Sequence, residues 1–340
     1  MSAVAATVLI RGDGVSVATA VRLLRCDGLE LAGAGETVRS PAPVVMLSEA
    51  ALALLRDIFG RPDLFGGGAP IARRIVAWGG GEPAILPHKA IVVTGAELTA
   101  ELPLPPLPAP DGDVCFTLRG TPPFPDGGVR HFGRRGAMAV AVDLVAQADR
   151  QACHIEAIES GWLFLIPCGA GKAWLLGVGD ALDVLLGQSR LVSAQIGTIG
   201  PVAARFETAP RMLENLVGHD WLACGTTAIA FDPICGDGTA QAAREAVLAA
   251  AVIAGIKRSG GGEERSALLG HYQAMLLAAM RRHLQISLPF YRSGGTSPWW
   301  REQAAAVADG HAWCTARLAT MPEPRFMLRG ARLVPRELAA

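Results

Sequence analysis

Two glycine turns hold the residues whose types and spacing could do chemistry. The first, Gly12-Asp13-Gly14, follows the apolar run Ala5–Ile10 and opens Val15–Cys26, where Val17, Val21 and Leu24 fall close to helical spacing. A pyrophosphate needs bare backbone N–H groups and a helix N-terminus, and glycine lets it come close. The full dinucleotide spacing is GxGxxG. Gly12 and Gly14 match it, but Val17 stands at the third position, Arg11 precedes the pair and Asp13 adds a negative charge. The ribose-binding acid is expected about 20 residues onward, where Glu36 is better placed than Glu30. A tight strand-to-helix turn in some other parallel sheet is the alternative.

The second turn lies in Trp221-Leu-Ala-Cys-Gly-Thr-Thr-Ala-Ile-Ala-Phe-Asp-Pro-Ile-Cys-Gly-Asp-Gly-Thr239, ahead of a long apolar helix expected over Thr239–Ile256. Asp232-Pro233 shapes the turn, since a residue before proline is held extended. A helix starting at Gly238–Thr239 places about half a positive elementary charge at its N-terminus. The alternative is an ordinary Asp-Pro turn before a helix. Elsewhere, Trp162 and Phe164 are two apart and would share one strand face, as substrate-cavity wall or as core aromatics. Trp299 and Trp300 read as helix packing or, in a peptide-acting enzyme, as an entry surface, Arg130, Arg134 and Arg135 as a solvated cluster, and His219-Asp220 as a surface pair. The seven histidines never take HxxxH or HExxH spacing, which argues against zinc. Neither a Gly-x-Ser-x-Gly elbow nor a P-loop occurs.

The elements that must position these turns follow from pattern. With 340 residues, 51% hydrophobic and 18% charged, the chain is no disordered protein. Lys+Arg and Asp+Glu balance at 31 each, which removes a chain-wide electrostatic case for nucleic acid or anionic membrane. Apolar runs such as Ala246–Ile256 fall short of the roughly 20 residues that span a bilayer. The N-terminus lacks a basic segment before its apolar stretch, and seven cysteines form an odd set without CxxC. A cytoplasmic protein with reduced thiols is expected.

Leu29–Ala34 reads as a second strand, completing a strand–turn–helix–strand opening of the Rossmann kind. Leu47–Phe59 reads as a helix capped by Ser48, and the Pro-rich Leu102–Pro125 as irregular or extended. Met138–Ala146, His154–Ile158, Trp162–Pro167 and Ala173–Val178 suggest an antiparallel sheet. Asp220–Phe231 is strand-like, and the tail is mainly helical with a break at Ser293–Pro298.

The second turn resembles the distal flavin-binding motif of the two-dinucleotide-fold FAD-dependent monooxygenases and flavin-dependent halogenases, roughly W-hydrophobic-x-G-D-A-A-x-x-x-D-P-x-x-G-x-G. Gly225, Ala228, Asp232, Pro233, Gly236 and Gly238 fall in place. Gly161-Trp-Leu-Phe-Leu-Ile-Pro167 looks like the GWxWxIP strand of the halogenase-like branch, and Phe290-Tyr291 with Trp299-Trp300-Arg301 resembles its C-terminal helices. Within that branch the chain leans towards flavoproteins that mature tryptophan-derived quinone cofactors of amine oxidases and dehydrogenases. Three positions depart from the pattern. Thr226 replaces the aspartate that binds the ribityl chain in relatives, Val17 replaces a glycine, and Val114–Gly120 stands where the family has a D-A-T-G-like strand end.

The resemblance implies an α/β fold: a Rossmann-like FAD-binding domain with an inserted antiparallel sheet domain and C-terminal helices. Its segments would be 1–65, 101–130 and 205–257 for FAD, 66–100 and 131–204 for the substrate sheet, and 258–340 for the helices. It implies an FAD-dependent monooxygenase acting on an aromatic small molecule or peptide, with a peptidyl tryptophan as one substrate. No NAD(P)H domain is evident in the sequence, so a separate flavin reductase is expected. FAD would lie between Gly12–Gly14 with Glu36 and the Gly225, Thr226, Asp232, Pro233, Gly236, Gly238, Thr239 set. Trp162 and Phe164 would border the substrate. The alternative is a binding or assembly protein that kept the fold and lost the cofactor.

Overall fold

The computed structural model describes residues 7–34, 42–125, 128–236, 238–259 and 262–336. Glu36 lies outside the described residues. The first apolar run forms β1 (Thr7–Arg11), which turns through Gly12 into α1 (Gly14–Cys26) and returns as β2 (Leu31–Gly33), parallel to β1. After β3 (Val44–Ser48), helix α2 (Glu49–Phe59) starts two residues later than expected from the sequence. Ser48 stays extended and its Oγ accepts the Ala51 N–H, while Gly60 at φ +64° ends the helix. A hairpin of β4 (Ala69–Ala77) and β5 (Ala84–Thr94) follows, then α3 (Gly95–Glu101), opened by a Thr94–Glu97 capping box. The proline-rich residues 102–113 hold no regular element, and then comes β6 (Val114–Arg119).

Next come β7 (Val129–His131), β8 (Gly136–Leu144), β9 (Ala152–Ile158), β10 (Gly161–Gly169) and β11 (Lys172–Gly179), followed by α4 (Leu182–Gln188), β12 (Ile196–Glu207) and β13 (Arg211–Leu213). The strand expected over Asp220–Phe231 is instead two, β14 (Trp221–Ala223) and β15 (Ile229–Ala230), because Gly225 at φ +86° turns the chain between them. Helices α5 (Gly238–Ser259), α6 (Gly262–Ser293) and α7 (Pro298–Ala319) complete the core. The break before α7 has a packing reason: a Cβ on Gly294 would lie 2.3 Å from the Trp300 ring. The tail is not wholly helical. It ends in the hairpin β16 (Phe326–Arg329) and β17 (Arg332–Pro335).

Four strands form a parallel sheet in the order β14-β6-β1-β2, and the large sheet runs β12-β8-β11-β10-β9-β4-β5-β3. That large sheet is antiparallel except where β4 meets β9, and it recruits β3 from residues 44–48. A small sheet, β15-β13-β7, carries the crossover to the parallel sheet. Strand β10 is buried on both faces. Trp162 and Phe164 join the core of the parallel sheet, while Leu163 and Leu165 pack with Leu175 and Leu185 of α4 on the other side. The mixed α/β architecture is thus two sheets, with helices filling the space between and beside them.

Helix α5 is the longest apolar segment after all. At 22 residues it is long and apolar enough to cross a bilayer, yet about two thirds of its apolar stretch is buried in the protein. It packs along α1, with Ala18 and Ala243 in one cluster, and against α6. Glu245 sits in that buried seam, 2% exposed, near the Cys224 thiol and the Gly225 backbone. Burial pushes its carboxyl up to about 8, despite hydrogen bonds with Gln241 and Gly225 and the Arg244 charge. Between the ordinary value of 4.5 and about 8, the folded chain therefore keeps a proton that the unfolded chain releases. Stability contributed by that proton is full below the lower value and is lost as pH rises through the window. Glu245→Gln should remove this slope, so its melting temperature gains on wild type progressively as pH rises through that window. A pH-independent difference would show that Glu245 is ionised in the fold.

Candidate functional site

The C-terminal ends of β1, β6 and β14 meet at one edge. Gly120 N–H donates to Arg11 O at 2.7 Å, Cys224 N–H to Arg119 O at 2.9 Å and Thr227 Oγ1 to Gly120 O at 2.6 Å. Gly12 and Gly14 there take φ +96° and +87°, which only glycine adopts without strain. The site of a Cβ on Gly14 is open, with nothing within 4 Å, and Asp13 makes no side-chain cap to α1. The first amides of α1 therefore point outward without a side-chain cap. Arg11 Nε and Arg119 Nε are buried beside them and lack partners. Burial and the neighbouring Arg11 charge hold Arg119 below its ordinary value. Uncapped amides and two crowded guanidinium groups suit a dianionic ligand such as a diphosphate.

Val17 explains itself from the facing strand. A Cβ on Gly120 would lie 2.4 Å from Val17 Cγ2, so the close helix–strand approach is preserved with the glycine on β6 instead of α1. Gly225 packs similarly on α1, where its Cβ would meet Ser16 Oγ at 3.3 Å. Thr226 follows, exposed, with its carbonyl accepting from Arg211 at 3.4 Å.

The second turn is held by buried charge. Asp232 Oδ2 accepts from Arg135 Nη2 at 2.9 Å and from the Tyr291 hydroxyl at 2.6 Å, while Oδ1 accepts the Ile234 N–H at 3.0 Å. Arg135 also donates to Gln303 Oε1 at 2.8 Å and lies over the Tyr291 ring at 4.6 Å. Both charged side chains are 0% exposed, so Arg135 is no solvated surface residue. Asp232 N–H donates to His283 Nε2 at 2.9 Å, which puts any proton of the neutral ring on Nδ1. Burial pushes His283 down to about 4, with Arg135 reinforcing it and Asp232 opposing. Pro233 follows in a short turn closed by Gly236 at φ +64°, and Gly238 and Thr239 begin α5.

Across from this turn lies the large sheet. Trp162 and Phe164 are 0% and 5% exposed on its inner face, and the Trp162 indole lies near the Tyr291 hydroxyl. Arg74 of β4 shares that face, opposite Cys153, and its Nη2 stands 3.3 Å from where a Gly236 Cβ would be. Sequence reasoning missed Arg74, Arg135 and Gly120. Strand alternation was the available signal for Arg74, which sits two residues before Val76 on an apolar face. A cavity of about 1510 Å³ opens elsewhere, beside β8, β12 and α4, and is lined by Met138, Leu182, Leu186, Ile199 and Val202 among others. None of the glycine-turn residues lines it.

No family model and no curated protein matches the sequence. Solved structures do match the fold. The peptidyl tryptophan dihydroxylase QhpG, essential for tryptophylquinone cofactor biogenesis, superposes with a TM-score of 0.70 at 18% identity, covering 97% of this chain and 86% of its own. The flavin-dependent halogenase CmlS gives 0.72 at 16% identity, over 92% and 70% of the two chains. The myxobacterial chondrochloren halogenase CndH gives 0.71 at 12% identity, over 94% and 92%.

Two substitutions probe these contacts. Gly120→Ala should destabilise by about 1–3 kcal/mol through overpacking, and Val17→Ala should recover part of that loss in the double variant although it destabilises alone. Urea unfolding measures both; simple additivity would deny the contact. Arg135→Met strands a buried carboxylate and should cost about 3–5 kcal/mol, partly restored by adding Asp232→Asn. Equal stability of Arg135→Met and wild type would mean that the pair is solvated in solution.

Proposed function

From the premise that this chain has the fold of the FAD-dependent monooxygenases and halogenases, we propose that it binds FAD and oxidises an aromatic substrate. The observation that carries this reading is the convergence at one sheet edge of uncapped α1 amides, two half-buried arginines whose Nε atoms are buried and partnerless, and the bare glycine at position 14. In this reading Gly12, Gly14, Arg11 and Arg119 hold the pyrophosphate, and Glu36 takes the ribose. Gly225 and Thr226 face the ribityl chain. Asp232, Pro233, Gly236, Gly238 and Thr239 border the ring, where the α5 N-terminus favours negative charge.

Reduced flavin supplies oxygen activation when bound. The protein's part is positional. Arg135 and Tyr291 fix the carboxylate of Asp232, and through it the second turn. Trp162 and Phe164 give the facing wall an apolar, dry surface that keeps water from the reacting centre. His283, neutral and committed to the Asp232 N–H, is not available as a base. A peptidyl tryptophan, in the manner of the QhpG-like fold, is the finer substrate reading, with a separate reductase supplying electrons. Seven free thiols suit a reducing, cytoplasmic setting.

Titration of the purified protein with FAD, followed by flavin fluorescence, tests the proposal. Saturable binding with a yellow complex is expected. Thr226→Asp should tighten it by roughly ten- to a hundredfold, because a carboxylate accepts stronger hydrogen bonds from ribityl hydroxyls. The exposed position of Thr226 makes the added charge tolerable to the fold. No binding by either protein at excess FAD, with normal melting, would overturn the flavin reading in favour of a non-catalytic binding protein.

A further inference from the structure

Arg74 is a cation in search of an anion. Its guanidinium lies between the inner face of the large sheet and the bare turn at Gly236. The contacts around it are a neutral or weakly basic set. Nη2 lies 3.2 Å from His88 Nε2, and the Cys153 and Cys235 thiols are its other titratable neighbours. Burial and the Arg74 charge both lower His88, and burial raises both thiols, so none of these groups offers a negative charge near neutrality. Among the described residues, no carboxylate comes within 4.0 Å of Arg74. Asp232, the described carboxylate of the adjoining turn, is already taken by Arg135, Tyr291 and the Ile234 amide. Arg74 Nε is buried with no partner at all. A planar guanidinium with unspent donors is a shape that matches a carboxylate through two parallel hydrogen bonds.

The surroundings specify the rest of the ligand. Leu86 lies directly across the hairpin from Arg74, Val76 continues the same face of β4, and Trp78 follows just past the strand's end. Trp78 meets Phe290 of α6 edge to face at 6.0 Å and donates its indole N–H to Phe290 O at 2.9 Å. Leu86 and Phe290 remain 48% and 40% exposed, an apolar rim leading towards one fixed charge. We propose that Arg74 is the specificity-determining residue of the substrate site and selects aromatic substrates that carry a carboxylate. The aromatic part packs on the apolar sheet face, and the carboxylate docks on Arg74 beside the Gly236 turn. This deepens the aromatic-oxidation reading and rests on it for the assignment of that face to substrate.

Binding alone tests it, without turnover. Indole-3-acetate and its neutral amide would be titrated into the protein, with tryptophan fluorescence and calorimetry as readouts. A capped Trp-Glu and Trp-Gln dipeptide pair, run in parallel, tells a small acid from an acidic peptide. Wild type should prefer the acid of at least one pair by about tenfold or more. Arg74→Met should abolish that preference by weakening the acid only, and Arg74→Lys should keep part of it. FAD titrations and melting curves of all three proteins accompany the set. Equal binding of acid and amide by wild type would overturn the proposal, as would a preference that survives in Arg74→Met. Loss of FAD binding in Arg74→Met with unchanged aromatic binding would also overturn it, assigning Arg74 to the cofactor. Failure of wild type to bind FAD refutes the flavin reading instead, while the acid preference and its loss in the variant still decide the role of Arg74.

Discussion

The buried ion pair of Arg135 and Asp232 is the constraint around which the second glycine turn and the C-terminal helices are arranged. Two charges removed from water are tolerated only if the remaining donors and acceptors are also met. Here the requirement recruits distant parts of the chain: Arg135 from the start of β8, Tyr291 and His283 from α6, Gln303 from α7. Each partner fixes a helix or strand relative to the turn. The T-shaped and tilted contacts among Tyr291, Trp299, Trp300 and Trp78 then fill the space that this geometry leaves. Trp300 closes the set by donating to Ile158 O at 2.8 Å, which ties α7 to the end of β9.

The first glycine turn answers to a different demand, close backbone approach. Val17 and Gly120 divide between them what one helix glycine does in the GxGxxG pattern. Steric fit depends on the sum of the two facing side chains, not on which element carries the small one. The α1–α5 seam, with Ala18 and Ala243 in one buried cluster and each within the first two turns of its helix, keeps the two helix N-termini in one neighbourhood. The geometry of that edge is therefore a product of packing well behind it.

Much of this was legible in the sequence because it was local. The apolar run before Gly12, the positive-φ glycines, the Ser48 cap and the alternation of Trp162 and Phe164 are short-range signals, and each appears close to its expected place. What was not legible was long-range. Arg135 looks like the end of a basic cluster until its partner, 97 residues away, is brought to it. Arg74 reads as one of two adjacent arginines: alternation puts them on opposite faces, but only the pairing of β4 with β9 shows which face is inner, while Arg73 binds Asp149 at the surface. The terminal hairpin was hidden for a related reason: Phe326 is its only buried residue, too little pattern to announce a strand.

Strand β10 has a consequence for how such a protein can change over generations. Its odd-numbered residues Leu163 and Leu165 belong to the core shared with α4, and its even-numbered residues Trp162 and Phe164 belong to the inner face. Because side chains alternate strictly, a single four-residue stretch carries two nearly separable inheritances, one for holding the sheet together and one for shaping what it faces. Drift at the even positions can reshape the inner face without eroding the scaffold, whereas a one-residue insertion would exchange the two roles at a stroke. The strand thus tolerates substitution far better than it tolerates a change of length.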